Sequence, residues 1–150
     1  MGFHYRGSAW LIADSAVHNE SKNFSFSIQN HERAKRVQSR FVCIEDSLVL
    51  EKNFVKCGAF MQFGDQTFYL LQRGQKIFPT DFPAKVDVLV LSHSPTISPE
   101  KVAQAIRFHS IIMDGSNTIF YQNRWKEYAQ IHQIPIHITK EKGAYTMALH

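Results

Sequence analysis

The stretch that most constrains the fold is VDVLVLSHSP, which runs from Val86 to Pro95. Its consecutive apolar and β-branched residues predict a strand that is buried on both faces, as in the parallel sheets of α/β proteins. A helix signal follows directly, with Ser98 as the N-cap and Pro99 at the first helical position. Ligands and catalytic groups lie at the carboxyl ends of such strands, so His93, at the end of this run, marks a candidate functional site.

The rest of the second half repeats this alternation of strand and helix. After the first strand we predict, in chain order, a helix, a strand, a helix and two strands, over residues 98–108, 110–113, 118–132, 136–139 and 144–149. One face of the first helix carries Val102, Ala105, Ile106 and His109, and one stripe of the second carries Tyr121, Trp125, Tyr128 and His132. The order β-α-β-α-β-β predicts a mixed sheet with right-handed crossovers and an antiparallel last strand.

The first half predicts shorter strands. They lie over residues 9–13, 41–44, 48–50, 54–63 and 67–72, and the last two form a hairpin in which Gly64 takes a positive φ. The segment NHERAKRVQSR, residues 30–40, is interpreted as helix or loop. We expect a single domain over residues 1–150, with a possible sub-boundary in the Gly- and Pro-containing stretch 73–85.

Composition sets broad limits on the class of protein. A chain of 150 residues that is 44% hydrophobic and 20% charged is typical of one globular domain. Its net charge of +4 is compatible with an anionic partner but does not establish one. The sequence as given shows neither a signal peptide nor an apolar run long enough to span a bilayer, and it can be a fragment of a longer protein. Cys43 and Cys57 are expected as reduced core thiols, with a disulfide left open.

The spacing of the histidines gives no indication of a metal site. The eight histidines are His4, His18, His31, His93, His109, His132, His137 and His150. No two of them have the H-x-H, H-x-x-x-H or H-E-x-x-H spacing of zinc sites. His93 by itself is more typical of a capped or solvent-facing residue than of a ligand.

Two further arrangements of residues at the strand ends could carry chemistry. Ser92, His93 and Asp114 could form a nucleophile, base and acid, but adjacent strand residues point to opposite faces, so we expect Ser92 and His93 to diverge. The segment Asp114-Gly115-Ser116-Asn117 follows a strand and opens a helix. Its backbone amides could receive an anion, although a turn with an Asn N-cap explains the same residues.

The densest positive charge lies in HERAKRVQSR. Its basic residues are Arg33, Lys35, Arg36 and Arg40, opposed only by Glu32. Such a cluster can neutralise phosphates and give salt-sensitive DNA binding without sequence preference. A solvated face of the protein is the alternative.

Five segments together resemble a known family. They are FGDQTFYLL, KVDVLVLSHSP, DGSN, RWKEYAQIHQIPIH and EKGAYTMAL. The chain resembles the C-terminal soluble region of ComEC-type competence proteins, particularly the shortened form found in Bacteroidetes. The similarity runs from about Asn53 to Leu149 and is fainter over the first fifty residues.

The resemblance implies a metallo-β-lactamase-like domain whose metal site has been dismantled. Where the family has a VGHHGS-like motif, this chain keeps His93 and has Ser94 in place of the second histidine. Where the family has a TGD-like motif, Gln72 and Arg73 stand without an acid, and the H-x-H-x-D-H signature is absent. His93 would then be a remnant, with no metal and no small-molecule cofactor expected.

The reading that follows is a reduced, metallo-β-lactamase-like α/β (α+β) sandwich. The resemblance implies a non-catalytic, soluble domain of a bacterial inner-membrane protein of DNA uptake, which contacts DNA or supports the channel. One alternative is a metal-dependent nuclease or phosphodiesterase that uses Zn or Mn with His93 and Asp114. Another is a protein-interaction module that uses the aromatic residues Phe24, Phe26 and Trp125.

Overall fold

The computed structural model describes residues 2–5, 8–13, 38–43, 47–51, 53–143 and 145. The chain forms two compact units. Unit 1 comprises Met1–Gly58 with Leu149, and unit 2 comprises Ala59–Ala148 with His150. The stretch 73–85, where the sequence suggests a sub-boundary, lies inside unit 2.

Unit 1 contains a three-stranded sheet and a hairpin. The sheet is formed by β1 (Gly2–Tyr5), β2 (Ser8–Ala13) and β3 (Gln38–Cys43), in which β1 and β2 are antiparallel and β2 and β3 are parallel. Trp10, Ile12 and Val42 are buried side chains of this sheet. The interpretation of residues 38–40 as helix or loop is wrong, because they pair in register with Ser8, Ala9 and Trp10.

The hairpin of unit 1 joins β4 (Leu48–Glu51) to the antiparallel β5 (Phe54–Cys57). Phe54 is fully buried and stacks on Trp10, with 6.2 Å between ring centroids. The run 54–63, predicted as one strand, is interrupted at Gly58, whose φ of 57° takes the backbone out of the extended region. Cys43 and Cys57 form no disulfide, and the core position expected for Cys57 is wrong because this side chain is exposed.

Unit 2 is a mixed α/β arrangement. Its strands are β6 (Phe60–Phe63), β7 (Gln66–Gln72), β8 (Ala84–Ser92), β9 (Ile106–Met113) and β10 (Ile136–Ile138). They lie side by side in the order β10-β9-β8-β7-β6, antiparallel between β6 and β7 and parallel elsewhere. Helix α1 (Pro99–Ala105) connects β8 to β9, helix α2 (Ile119–Ile131) connects β9 to β10, and α3 (Thr139–Lys142) follows β10. The parallel strands β7 and β8 are joined by a loop, residues 73–83. The predicted α/β (α+β) class is confirmed.

Helix α1 begins as predicted and ends early. Ser98 is the N-cap, and its hydroxyl accepts a hydrogen bond from the Lys101 amide at 3.4 Å. The helix was expected to continue to residue 108, but Ile106 is already extended at φ −139°. Residues 106–108 pair with Ala84–Val86 of β8, so sheet pairing outweighs helical periodicity here. His109 therefore lies on a strand, exposed, and not on a helix face.

Strand β8 is buried on both faces, as its sequence predicts. Leu89 and Leu91 pack in one cluster with Trp125, while Val88 and Val90 alternate with them and are also buried. Trp125 is 0% exposed, so its expected role as a surface contact of an interaction module is wrong. Phe24 and Phe26, the other residues of that hypothesis, lie outside the described residues.

The end of the chain differs from expectation. The segment predicted as a turn, 140–143, contains helix α3, and the predicted strand 144–149 lies outside the described residues except for Tyr145, which is not in a strand. Within the described part of the chain, no helix is long and apolar enough to cross a membrane.

Candidate functional site

Three neighbouring parallel strands of unit 2 bring polar residues to one edge of the sheet. In the register of β7 and β8, Gln72 lies beside Ser92, and in that of β8 and β9, Leu91 lies beside Met113. The segments that follow, Gln72-Arg73, Ser92-His93-Ser94 and Asp114-Gly115-Ser116-Asn117, therefore meet there. Arg73 Nε donates a hydrogen bond to the Ser94 carbonyl at 3.4 Å.

The turn after β8 has an unfavourable backbone. His93 has φ 56° and Ser94 has φ 52°, a left-handed conformation that costs a non-glycine residue about 1–2 kcal/mol. Two side chains of the next loop hold it in place. The His93 amide donates to Ser116 Oγ at 2.6 Å, and the Ser94 amide donates to Asn117 Oδ1 at 3.0 Å.

The same turn brings together two side chains that were expected to diverge. Ser92 Oγ lies 2.8 Å from His93 Nδ1. The expectation was wrong because it assumed an extended backbone, whereas the positive φ of His93 rotates its side chain back toward Ser92. Asp114 Oδ1, however, accepts from the Ser116 amide at 2.9 Å and from the Ser116 hydroxyl. The contacts thus run Asp114–Ser116–Ser92–His93, which is not the order of a catalytic triad.

Asn117 is the centre of this edge. Its side chain is 0% exposed, and Nδ2 donates to the Leu91 carbonyl at 2.7 Å and to the carbonyl and Oδ1 of Asp114 at 3.0 and 3.1 Å. Its own carbonyl accepts from Gln122 Nε2 at 2.9 Å and from Lys140 Nζ at 3.3 Å. One residue thereby joins the ends of β8 and β9, the first turn of α2 and the start of α3.

The first turn of α2 takes its cap from another loop. Thr118 occupies the N-cap position but makes no side-chain capping bond. Its amide donates instead to Ser94 Oγ at 2.9 Å. The amides of Ser116, Asn117 and Thr118 therefore have internal acceptors, and an anion bound in the predicted loop would have to displace them.

Comparison with known proteins agrees with the resemblance seen in the sequence. Residues 1–149 match the model of one protein family, the ComEC C-terminal domain. The chain belongs to the ComEC C-terminal domain family. No curated protein and no solved structure is significantly similar to it.

Membership gives this ComEC C-terminal domain its biological context. ComEC proteins act in competence, the uptake of DNA, and the domain is part of a membrane protein. The metallo-β-lactamase-like fold with a dismantled metal site, which the sequence resemblance implies, is a separate prediction. It places the former metal site at the carboxyl edge of β7, β8 and β9.

The residues at this edge do not fit a hydrolase metal centre. Zinc and manganese hydrolase sites draw three or more ligands from His, Cys, Asp and Glu. Of these residue types the edge offers two, His93, whose Nδ1 faces Ser92, and Asp114, whose Oδ1 accepts hydrogen bonds from its own loop. Within the described ranges, no three such residues come together as a candidate metal site.

A second polar cluster of this ComEC C-terminal domain lies on β7, β8 and β9. Asp87 Oδ2 accepts from the Thr67 hydroxyl at 2.6 Å and from the Thr67 amide at 2.8 Å, and His109 Nδ1 lies 3.7 Å from Asp87 Oδ1. The pKa of Asp87 is lowered, chiefly by the Thr67 hydroxyl, then by the Thr67 amide, with a smaller effect of His109. His109 is largely exposed, so its ion pair contributes little.

The predicted basic cluster is only partly within the described residues. Arg40 lies on β3, is exposed, and forms an ion pair with Glu51 of β4. Arg33, Lys35 and Arg36 lie outside the described residues. The positive charge of Arg40 therefore already has a partner within unit 1.

Sequence reasoning missed the structural roles of several residues at the carboxyl edge. It treated Asn117 as a loop or N-cap residue and Ser94 only as the replacement of a histidine. The available signal was their chemistry: short side chains with both donors and acceptors, placed at the ends of adjacent parallel strands. The contacts of Arg73 and Lys140 with backbone carbonyls gave no sequence signal.

Proposed function

We propose that this ComEC C-terminal domain is a non-catalytic domain of a membrane-bound DNA-uptake protein. The observation that carries the proposal is the fully buried Asn117, which joins the ends of β8 and β9. Where a hydrolase of the resembled type would present ligands, this chain has side chains bonded to one another. The edge would then serve to hold the sheet and α2 together.

The individual groups support this proposal. A nucleophilic serine must reach a substrate, whereas Ser92 is 3% exposed and faces the His93 ring. Asp114 Oδ1 accepts from three donors of its own loop, so this carboxylate oxygen serves to hold the loop. His93 is exposed, and among the residues that the structure describes its ring contacts Ser92 and forms no ion pair with a carboxylate that could orient it.

The proposed contact with DNA is the basic cluster of unit 1. Its residues are Arg33, Lys35, Arg36 and Arg40, and support comes from their spacing in the sequence and from the exposure of Arg40. Glu51 offsets the charge of Arg40, so the other three residues would contribute more to phosphate binding. Support of the channel, through the membrane portion of the protein, is the companion role in this proposal.

One oligonucleotide assay tests both parts. A labelled DNA strand is mixed with the chain in the presence of Zn²⁺ or Mn²⁺, and binding and cleavage are followed at several salt concentrations. We expect that adding metal causes no cleavage that depends on His93, so the parent chain and His93→Ala should behave alike. After dialysis the chain should retain less than about a tenth of an equivalent of metal. Replacing the four basic residues by Ala should weaken binding. The plot of log affinity against log salt concentration should become less steep, by the equivalent of up to about three phosphate contacts.

The matched control replaces four other cations, Lys76, Lys101, Arg124 and Lys142, by Ala. Equal loss of binding in the control would show that total charge, not the basic cluster, carries the affinity. Cleavage with about one equivalent of bound metal, both lost on His93→Ala, would overturn the non-catalytic assignment in favour of a nuclease.

A further inference from the structure

The amino ends of β8 and β9 carry two cations side by side. Lys85 is directly opposite Arg107 in the register of these parallel strands, about 5 Å away along the sheet. Both side chains are exposed. Like charges in directly opposed positions destabilise a sheet, so the fold maintains this pair at a cost.

The acids near this pair are Asp87 and Asp81. Asp87, two residues along β8, is committed to both donors of Thr67 and faces His109. Asp81 is exposed in the preceding loop. In the described part of the chain, neither Lys85 nor Arg107 forms an ion pair with a carboxylate.

The loop that leads into β8 holds two aromatic rings in solvent. Phe78 is 73% exposed and Phe82 is 90% exposed, and each is followed by a proline. Ile77, next to Phe78, packs against the core clusters of unit 2 and anchors the loop. The two prolines and this anchor restrict the loop. Binding of a partner to the rings would therefore cost the loop little further conformational entropy.

The rings and the cations share one edge. Pro79, Thr80 and Asp81 of the loop line an open surface depression together with Gln104 of α1, so the loop passes beside the last turn of this helix. Gln104 precedes Arg107 by three residues, and Phe82 precedes Lys85 by three. We define the amino-edge patch as Phe78, Phe82, Lys85 and Arg107.

We propose that the amino-edge patch docks on the surface of a bilayer that contains anionic lipids. Phenyl rings gain free energy by leaving water for the interfacial region, and paired cations gain by approaching lipid phosphates. An anionic surface also removes the repulsion between Lys85 and Arg107. A bilayer is favoured over other anionic partners because the family is one of membrane proteins. This proposal does not depend on whether the opposite edge is catalytic.

Vesicle co-sedimentation of the 150-residue chain tests it. Vesicles of phosphatidylcholine alone are compared with vesicles that also contain phosphatidylglycerol. We expect binding only to the anionic vesicles. It should weaken about thirtyfold for Lys85→Gln/Arg107→Gln at low salt and more than about tenfold for Phe78→Ala/Phe82→Ala. The control Ile119→Ala/Phe120→Ala removes apolar groups of 71% and 70% exposure from α2 and should leave binding unchanged.

Three results would overturn the proposal: no binding to anionic vesicles, an equal loss of vesicle binding in the control, or patch variants that lose oligonucleotide binding while their vesicle binding is unchanged. The last result would assign the patch to nucleic acid. Thermal unfolding of each variant excludes misfolding as the cause. Should the double Phe variant fail to fold, Phe82→Ser alone is compared with Phe120→Ser.

Discussion

The two ends of β8 and β9 treat polar side chains in opposite ways. At the carboxyl end, Asn117, Ser92 and Ser94 are buried, and the polar side chains bond to one another. At the amino end, Lys85 and Arg107 face each other in solvent beside exposed rings. The carboxyl end is where this kind of sheet usually holds its chemistry. The comparison indicates that an end of the sheet is open to a ligand when its polar side chains lack hydrogen-bonding or ion-pair partners within the protein, whatever its position in the fold.

The largest effect on stability is expected at the carboxyl end of β8 and β9. Asn117→Ala leaves the buried Ser94 amide without its acceptor and removes one of the two donors to the Leu91 carbonyl, which keeps the Asp114 amide. We expect the free energy of unfolding to fall by about 2 kcal/mol. Urea denaturation measures it. The control Asn123→Ala, on the exposed side of α2, should change stability by less than about 0.5 kcal/mol. Similar losses in both variants would mean that the carboxyl end is not the cross-link inferred here.

An intermediate effect is expected between the two ends, at Asp87. Thr67→Val removes the main cause of its lowered pKa and should cost about 1 kcal/mol near neutral pH. Because the folded pKa lies below the unfolded one, the ionised carboxylate stabilises the protein above the unfolded value and this is lost as pH falls through the folded pKa.

The difference in stability between Thr67→Val and the parent should therefore shrink below about pH 3.8, the reference value of Asp87. An NMR titration of the Asp87 carboxyl should show its pKa rise in the variant. Thr96→Val, at an exposed threonine, should leave both quantities unchanged. A constant difference at all pH values would rule out the linkage.

The smallest effect, expected at the amino end of β8 and β9, is a gain in stability and not a loss. Lys85→Gln removes one of two facing cations, so stability should rise by about 0.3 kcal/mol at low salt and by less at high salt. Thermal unfolding checks this against Lys101→Gln, an exposed lysine of α1, which should have no such effect. Destabilisation by Lys85→Gln would show that the pair is not under repulsion, and the contrast between the two ends would weaken.

The sequence was informative wherever a local pattern sets the structure. The apolar run of β8, the Ser98-Pro99 start of α1 and the stripe of α2 around Trp125 are such cases. The family was also recognisable from the ordered series of segments. These features depend on residues close together in the chain.

The features that were missed depend on distant residues. The end of α1 is set by pairing with Ala84–Val86, and the turn at His93 is held by Ser116 and Asn117, more than twenty positions away. A positive φ at two consecutive non-glycine residues has no signal in the sequence. The Thr67–Asp87 bonds likewise exist only once β7 and β8 are paired.

The cap that Ser94 provides for α2 has a consequence for motion. Because the Thr118 amide bonds to a hydroxyl in the turn after β8, it can exchange with solvent only when that turn opens. Hydrogen exchange at Thr118 should therefore follow the exchange of the Ser94 amide, which bonds back to Asn117. The end of β8 and the beginning of α2, separated by more than twenty residues in the chain, would then open together as one cooperative unit.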